Sequence, residues 1–324
     1  CVGRKVAKLV WKLRRNDGSN HKEQKMGTDY RPRPGIKYWK QDPIGKHDIA
    51  LGSLWEHVKP FVLDNVKNFR TAPFCSFDSD QFMMEYESVK SQGGDGKITP
   101  TVRSESETQI GTFWAYDGTP ELCSPPKLYN QLAIRILSIM GTDTIEMFRL
   151  LTIVNICLAD AAIALWESKY YYNIGRPITI IRDVVPGCEG MHHDLAPMSG
   201  YTPLGAPNSN NTGPNFTPPF PTYPSGHAGF GGALFEILRL FYGTDEIKFS
   251  FVSDEYNGKT RDSEGNVRPV VERFYKDLSE AEEENGKSRV YLGIHWPTDS
   301  AEAIKQGNKI ADFVFSHISY NKLD

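Results

Sequence analysis

Residues 225–242, SGHAGFGGALFEILRLFY, have the apolar spacing of an α-helix. Gly243 follows directly, and glycine commonly ends a helix because it adopts left-handed backbone angles without strain. The proline-rich residues 218–224, just upstream, must be extended or turning. The stretch therefore predicts a helix that begins near Ser225 and buries one face. The residues of that face are Phe230, Leu234, Ile237 and Phe241.

Helical spacing recurs on both sides of this stretch. Asp143 with Glu146 resembles a capping box that opens a long helix ending near Tyr172. No comparable alternation of the β-strand type is found, so we predict an all-α fold. Residues 1–126 would form an N-terminal helical region, and residues 127–324 a helical bundle that encloses the functional site, the two making one compact unit. Further helices are predicted at residues 1–15, 53–65, 80–92, 105–113, 127–141, 269–284 and 298–316.

The residues that open the 225–242 helix are suited to bind an anion. Unpaired amides and the positive end of the helix dipole lie at this position. Ser225 can donate its hydroxyl, and Gly226 its amide, because no side chain blocks close approach. His227 is the group at this edge that can move a proton near neutral pH. The motif is weak evidence by itself, since a serine often caps a helix.

Two cations upstream have the spacing expected of partners for that anion. Lys169 and Arg176 are seven residues apart, so on one continuous helix they would differ by only about 20°. We expect Pro177 to end that helix. The flanking residues are mostly apolar and aromatic, which indicates that the two charges are buried and need an anion. The alternative is a pair of cations on a solvated surface.

A third group lies near the C-terminus. The guanidinium of Arg289 suits two oxygens of one oxyanion, and His295 can offer a ring nitrogen to its central atom. Asp299, one helical turn later, is predicted to hold the other ring nitrogen of His295. The alternative is that Asp299 serves only the first turn of the helix that follows Pro297. The loop histidines at positions 192 and 193 are interpreted as ordinary structural or surface residues, and the alternative is that they line the entrance of the site.

Taken in order, these motifs resemble the signature shared by vanadium-dependent haloperoxidases and type-2 phosphatidic acid phosphatases. Flanking segments at residues 113–118, 204–207, 218–221 and 291–296 are similar to soluble haloperoxidases of the fungal chloroperoxidase type. The resemblance covers residues 30–315, and the shorter region before it leads us to expect a truncated amino terminus. The motifs are Lys169-x6-Arg176-Pro177, Pro224-Ser225-Gly226-His227 and Ser288-Arg289-x5-His295-x3-Asp299.

The resemblance implies an enzyme that uses vanadate and hydrogen peroxide to oxidise halide to hypohalous acid, which halogenates a small organic acceptor. His295 would bind the vanadium, and His227 would be the acid–base group that assists peroxide binding. Lys169 would also be catalytic, because it would polarise the peroxide. Asp117 would pair with the second arginine of the set. The groups that hydrogen-bond the vanadate oxygens would be Lys169, Arg176, Ser225, the amide of Gly226, and Arg289.

Two aromatic residues bear on the choice of halide. Phe220 lies seven residues before His227, where bromoperoxidases of the algal type tend to carry histidine. Trp166 lies three residues before Lys169, where they tend to carry arginine. An apolar wall leaves a small anion less solvated and the peroxide more electrophilic, so the resemblance predicts that chloride is used. The alternative is that both aromatic residues only pack the core.

Composition excludes several other classes of function. A formal net charge of -3 gives no overall field that would attract nucleic acid or an anionic membrane. Five widely spaced cysteines without a C-x-x-C pair exclude zinc ribbons and dithiol redox motifs. The apolar run at residues 150–166 is too short and too interrupted for a membrane span, and it predicts a core helix.

Haloperoxidases of this kind are often secreted, so we expect an extracellular location. No motif indicates an oligomeric state.

Two alternative functions remain open from the sequence. Phosphate resembles vanadate, so an acid phosphatase could use His295 as the nucleophile and His227 to protonate the leaving oxygen. A non-catalytic oxyanion-binding protein is the other alternative, although simple binding would require neither histidine.

Overall fold

The computed structural model describes residues 2–188 and 190–318, which are mostly helical. This confirms the predicted all-α class, and the only strands within these residues form two small antiparallel pairs. The helices are α1 Val2–Arg14, α2 Asp80–Gln92, α3 Glu105–Phe113, α4 Pro125–Ile139, α5 Thr144–Tyr172, α6 Pro177–Asp183, α7 Gly226–Tyr242, α8 Leu278–Tyr291 and α9 Pro297–His317. The strands are β1 Gln24–Lys25, β2 Ile49–Ala50, β3 Phe249–Asn257 and β4 Val270–Tyr275.

Helix α7 lies at the centre of the bundle and contacts α4, α5, α8 and α9. Its closest neighbour is α9, and glycines make this approach possible. A Cβ on Gly232 would lie 2.6 Å from the carbonyl oxygen of Ile304, and one on Gly307 would lie 2.3 Å from that of Gly229. The two backbones therefore touch directly. This contact fixes the start of α7, which carries His227, relative to the start of α9.

Helix α5 is the long central helix that the sequence predicts. Asp143 caps it by accepting hydrogen bonds from the amides of Ile145 and Glu146. The helix ends at Tyr172, and the next residue, Asn173, has a left-handed φ of 58°. By length and composition α5 is the one helix among the described residues that could cross a membrane, but 56% of its most apolar window is buried in the protein. It packs as a core helix against α4, α7 and α9.

The predicted helix over residues 53–65 is wrong. Only a short 3-10 turn, Trp55–His57, forms there, followed by extended chain and a second turn, Val66–Phe69. Pro60 lacks an amide proton and disfavours helical angles in the residue before it. The amides of residues 61–63 are bound instead by the buried carboxylate of Asp160 on α5, at 2.6 to 3.0 Å. A long-range hydrogen-bond acceptor thus replaces the helical carbonyls.

The predicted helix over residues 269–284 is also partly wrong. Its first half is strand β4, which pairs with β3 through contacts such as Phe249 with Tyr275. The segment VVERFY is β-branched and aromatic, which favours a strand once a partner strand is present. The helix starts only at Leu278, where Asp277 accepts a hydrogen bond from the amide of Glu280. The hairpin packs Phe249, Phe251 and Tyr275 on the main core, whereas Phe274 is exposed.

Candidate active site

A cavity of about 190 Å³ opens at the N-terminus of α7. The residues predicted to bind the oxyanion, to form the halide pocket or to support them all lie at this cavity or directly behind it. Lys169, Arg176, Ser225 and Asp299 form the buried layer behind it, each with at most 1% of its surface exposed. His192 and His193 do not line the cavity, which excludes the alternative that this pair lines its entrance. The predicted residues that do line it are Asp117, Trp166, Phe220, Gly226, His227, Arg289 and His295.

Lys169 and Arg176 meet at the site, but they do not share a helix. Helix α5 ends at Tyr172, and Pro177 begins α6 rather than ending a helix. The ammonium of Lys169 donates to the carbonyls of Pro221 at 3.1 Å, Thr222 at 3.0 Å and Pro224. Burial, followed by the charge of Arg176, lowers the pKa of Lys169 well below its usual value. Lys169 therefore anchors the loop that leads into α7.

Arg176 contacts three groups with its guanidinium. Its Nε donates to the carbonyl of Phe220 at 3.0 Å, and Nη1 donates to the carbonyl of Ile294 at 2.9 Å. Nη1 also lies 2.9 Å from Nε2 of His295. Burial lowers the pKa of Arg176 to about 9. The remaining nitrogen, Nη2, is buried and has no hydrogen-bond partner.

Arg289 is held by one carboxylate and leaves two nitrogens unpaired. Its Nη2 donates to both oxygens of Asp117, at 2.8 and 3.0 Å. Nε and Nη1 are buried without a partner, as is Nη2 of Arg176. A buried donor without an acceptor costs about 1–3 kcal/mol, and more when the group is charged. Three such donors around one cavity provide a site that an oxyanion would satisfy.

Asp299 performs both of the roles that the sequence left open. Its Oδ2 lies 2.7 Å from Nδ1 of His295 and accepts the amide of Trp296 at 3.0 Å, which caps α9. Thr222 donates its hydroxyl to the same oxygen. Burial, then the charge of Arg176, lowers the pKa of His295 well below its usual value, so the ring is neutral. We assign its proton to Nδ1, beside the carboxylate, which leaves the Nε2 lone pair at the cavity.

His227 is oriented through its ring and its backbone. Ring nitrogen Nε2 hydrogen-bonds the carbonyl of Ala115. Its own carbonyl accepts from the Tyr129 hydroxyl at 2.7 Å and from the Asn285 amide at 3.0 Å. Burial, then the charge of Arg289, lowers the pKa of His227 well below its usual value. The residue is therefore a neutral imidazole with Nε2 engaged and Nδ1 able to accept a proton.

Ser225 and the aromatic pair complete the cavity. The hydroxyl of Ser225 accepts a long hydrogen bond of 3.4 Å from the amide of Ala228, which leaves its proton available to donate. The rings of Trp166 and Phe220 lie 5.0 Å apart. The ammonium of Lys169 is 5.0 Å from the centre of the Phe220 ring. One wall of the cavity is thus apolar and backed by a cation.

Sequence reasoning missed four residues that hold the site in place: Ala115, Tyr129, Thr222 and Asn285. Ala115 contributes a backbone carbonyl, which no side-chain pattern reveals. Asn285 lies one helical turn before Arg289 on α8, so helical spacing did offer a signal for it. Tyr129 and Thr222 act through contacts with residues distant in sequence, for which no local signal exists.

The family described as VCPO second helical-bundle domain matches residues 149–321, which include all three motifs. The chain belongs to this family. The vanadium chloroperoxidase of Curvularia inaequalis is 34% identical to this VCPO-family chain over 244 residues. The alignment covers 65% of the chain and 39% of that relative, so the chain spans well under half of the relative's length.

Solved structures show the same fold. A bacterial vanadium-dependent iodoperoxidase is 28% identical, with a TM-score of 0.66 over 88% of this chain and 61% of that one. A bacterial vanadium-dependent chloroperoxidase in its apo form is 16% identical, with a TM-score of 0.67 over 97% of this chain and 73% of that one. At that identity the second likeness concerns the fold alone.

Proposed function

We propose that this VCPO-family chain carries the active site of a vanadate-dependent haloperoxidase, which oxidises halide with hydrogen peroxide to hypohalous acid. The observation that carries the proposal is the set of three buried, unpaired guanidinium nitrogens on Arg176 and Arg289, next to a neutral His295. The names of the similar chloroperoxidase and iodoperoxidase support the same chemistry.

The residues present fit vanadate. Its oxygens accept hydrogen bonds, and Arg176, Arg289 and Ser225 have donors to give. The one carboxylate that lines the cavity, Asp117, is already neutralised by Arg289 and does not repel an anion. When bound, vanadate would supply a Lewis-acidic centre that activates hydrogen peroxide without changing its own oxidation state.

His295 would hold the vanadium through Nε2, because Nδ1 is engaged by Asp299. Hydrogen-bonding a carboxylate to the outer nitrogen makes the inner nitrogen a stronger ligand and fixes the plane of the ring. The nitrogen of Arg176 that now contacts Nε2 would then donate to an oxygen of the anion. This chain thus exchanges one internal hydrogen bond for the bond to the cofactor.

His227 would move the proton. Hydrogen peroxide must lose a proton as it binds, and a neutral imidazole can accept that proton at Nδ1. The carbonyl of Ala115 holds Nε2 and so keeps the ring in one tautomer. The protonated ring would then give that proton to the displaced oxygen, which would leave as water, and the imidazole would be neutral again. Lys169, next to the cavity, would polarise the peroxide, and its low pKa is expected to rise once an anion lies beside it.

We extend the proposal to chloride as a halide substrate. The apolar wall of Trp166 and Phe220 offers no hydrogen bond to a halide from its ring faces, so the anion near Lys169 is poorly solvated. The indole nitrogen of Trp166 is already engaged by the carbonyl of Leu51 at 3.1 Å. Chloride oxidation should fall in Trp166→Arg with Phe220→His, while bromide and iodide oxidation persist. Undiminished chloride oxidation in that double variant would contradict the proposed role of Trp166 and Phe220 in chloride use.

One pair of assays tests the reaction. Protein dialysed against a chelator is supplied with orthovanadate and tested for peroxide-dependent halogenation of an activated β-diketone with chloride, bromide and iodide. The same preparation without vanadate is tested for hydrolysis of an aryl phosphate. We expect halogenation only with vanadate, and His227→Ala should retain bound vanadate but lose most turnover. Phosphate release without halogenation would instead establish the phosphatase, and neither activity would leave an oxyanion-binding protein.

A further inference from the structure

Three consecutive residues in the loop after α6 place metal-binding atoms close together. His192, His193 and Asp194 each offer a ligand atom, and these atoms lie within 4.8 Å of one another. The two imidazole rings are stacked, with centroids 4.5 Å apart and an interplanar angle of 23°. Nε2 of His193 is 3.4 Å from Oδ2 of Asp194. This group lies outside the cavity described above and has no part in the proposed reaction.

His192 is the fixed member of the group. Its side chain is buried, and its amide donates to the carbonyl of Phe77 at 2.8 Å. Its Nε2 lies 3.4 Å from a carboxylate oxygen of Asp80, the first residue of α2. Its Nδ1 accepts a long hydrogen bond of 3.2 Å from the backbone amide of Asp194. An ion at Nδ1 would replace this contact with the Asp194 amide, while the carboxylate near Nε2 would orient the ring, which is the usual arrangement of a metal-binding histidine.

The loop that carries the group is anchored to the helices beside it. The Tyr86 hydroxyl on α2 donates to the carbonyl of Ala196 at 2.8 Å. The amide of Met198 donates to the carbonyl of Ile181 on α6, also at 2.8 Å. Leu195 is buried in the second core cluster. The buried ring is therefore held in place, while His193 and Asp194 are exposed and can adjust to an ion.

We propose that His192, His193 and Asp194 bind one divalent transition-metal ion of the zinc type, with Asp80 orienting His192. Two imidazoles and one carboxylate suit Zn²⁺, Ni²⁺ or Cu²⁺, whereas Ca²⁺ and Mg²⁺ prefer all-oxygen sites. Water would fill the remaining positions, because the site is open to solvent. A bound ion would hold the 192–194 loop in its folded conformation beside the start of α2, and would thereby raise the thermal stability of the protein.

Chelator-treated protein without vanadate is titrated with ZnCl₂ by isothermal calorimetry. We expect one equivalent to bind to the wild type, a Kd at least about tenfold weaker in His193→Ala, and a Kd weakened about 10- to 100-fold in Asp80→Asn. The matched control is His57→Ala. That histidine is exposed and lies 3.9 Å from Glu56, but it belongs to no group of three metal-binding side chains within residues 2–188 and 190–318, so its loss should leave the Kd unchanged.

A second readout follows the stability of the fold. Zn²⁺ should raise the Tm of the wild type and of His57→Ala. It should not raise the Tm of His193→Ala, which lacks one of the proposed ligands. Failure of the wild type to bind one equivalent, or an unchanged Kd in His193→Ala, would overturn the proposal. The titration mixture contains neither vanadate nor peroxide, so no halide is oxidised in it. Its outcome is therefore independent of the proposed haloperoxidase function. Repetition with saturating vanadate should give the same Zn²⁺ affinity.

Discussion

Replacing Asp299 with asparagine should weaken vanadate binding by about 10- to 100-fold. Oδ2 of Asp299 accepts hydrogen bonds from Nδ1 of His295 at 2.7 Å, from the amide of Trp296 and from the hydroxyl of Thr222. An asparagine keeps the shape of the side chain but carries no charge. Its oxygen can still accept, but the hydrogen bond to His295 is no longer charge-assisted.

The size of the effect follows from that one bond. A hydrogen bond to a charged group contributes about 1.5–3 kcal/mol. Since about 1.4 kcal/mol corresponds to a factor of ten, its loss weakens binding by roughly one to two orders of magnitude. Nε2 of His295 becomes a poorer ligand because the carboxylate no longer stabilises positive charge on the ring. Burial also raises the pKa of Asp299 to about 7, so the charged form of the carboxylate depends on the cations around it.

The assay is equilibrium dialysis of vanadate against chelator-treated protein at fixed pH, with circular dichroism to verify folding. The matched control is Asp143→Asn, because Asp143 caps α5 far from the cavity and asparagine caps a helix equally well. We expect the control to bind vanadate like the wild type. A folded Asp299→Asn protein with wild-type vanadate affinity would refute the argument that this carboxylate tunes His295.

Three further results are expected. Thr222→Val removes one donor from the carboxylate behind the site and should weaken vanadate binding by about two- to tenfold in the same dialysis, whereas an unchanged Kd would show that the hydroxyl is dispensable. Gly307→Ala places a Cβ 2.3 Å from a backbone oxygen of α7 and should lower the free energy of unfolding in urea by about 1–3 kcal/mol, while the control Gly286→Ala, whose Cβ meets side chains at 3.4 Å, should not. The pKa values of His227 and His295 are lowered by burial, so below about pH 6.5 the unfolded chain binds protons that the folded chain does not. Stability of vanadate-free protein should therefore fall as the pH drops from 7 to 5, by up to about 1.4 kcal/mol per histidine and pH unit, and His227→Gln should flatten that slope in urea titrations.

Local signals predicted the helices well where the chain closes its own hydrogen bonds. The apolar spacing and the caps of α5 and α7 placed both ends of each helix within a residue or two. The prediction failed at residues 53–65, where Asp160 binds three amides from a distant part of the chain. It failed again at residues 270–275, where a partner strand decides the conformation. Neither acceptor nor partner strand can be recognised from the segment itself.

The site was predictable in its side chains but not in its internal contacts. The motifs identified the cations and both histidines by type, because an oxyanion requires donors and a proton carrier. Lys169, however, donates to three carbonyls of the 221–224 loop, and His227 is held by the carbonyl of Ala115. Backbone acceptors are common to every residue, so no sequence pattern marks them. The residue types therefore indicate the chemistry, whereas the fold determines which donors remain available.

The most direct test of the central claim is a titration of halogenation activity with orthovanadate, using chelator-treated wild type and His295→Ala. We predict that wild-type activity with peroxide and bromide rises from near zero and saturates at one vanadate per chain. His295→Ala, which lacks the nitrogen that would hold the vanadium, should show no saturable activity in that range. Halogenation that does not depend on added vanadate, or a His295→Ala protein that binds vanadate tightly and halogenates normally, would contradict the account.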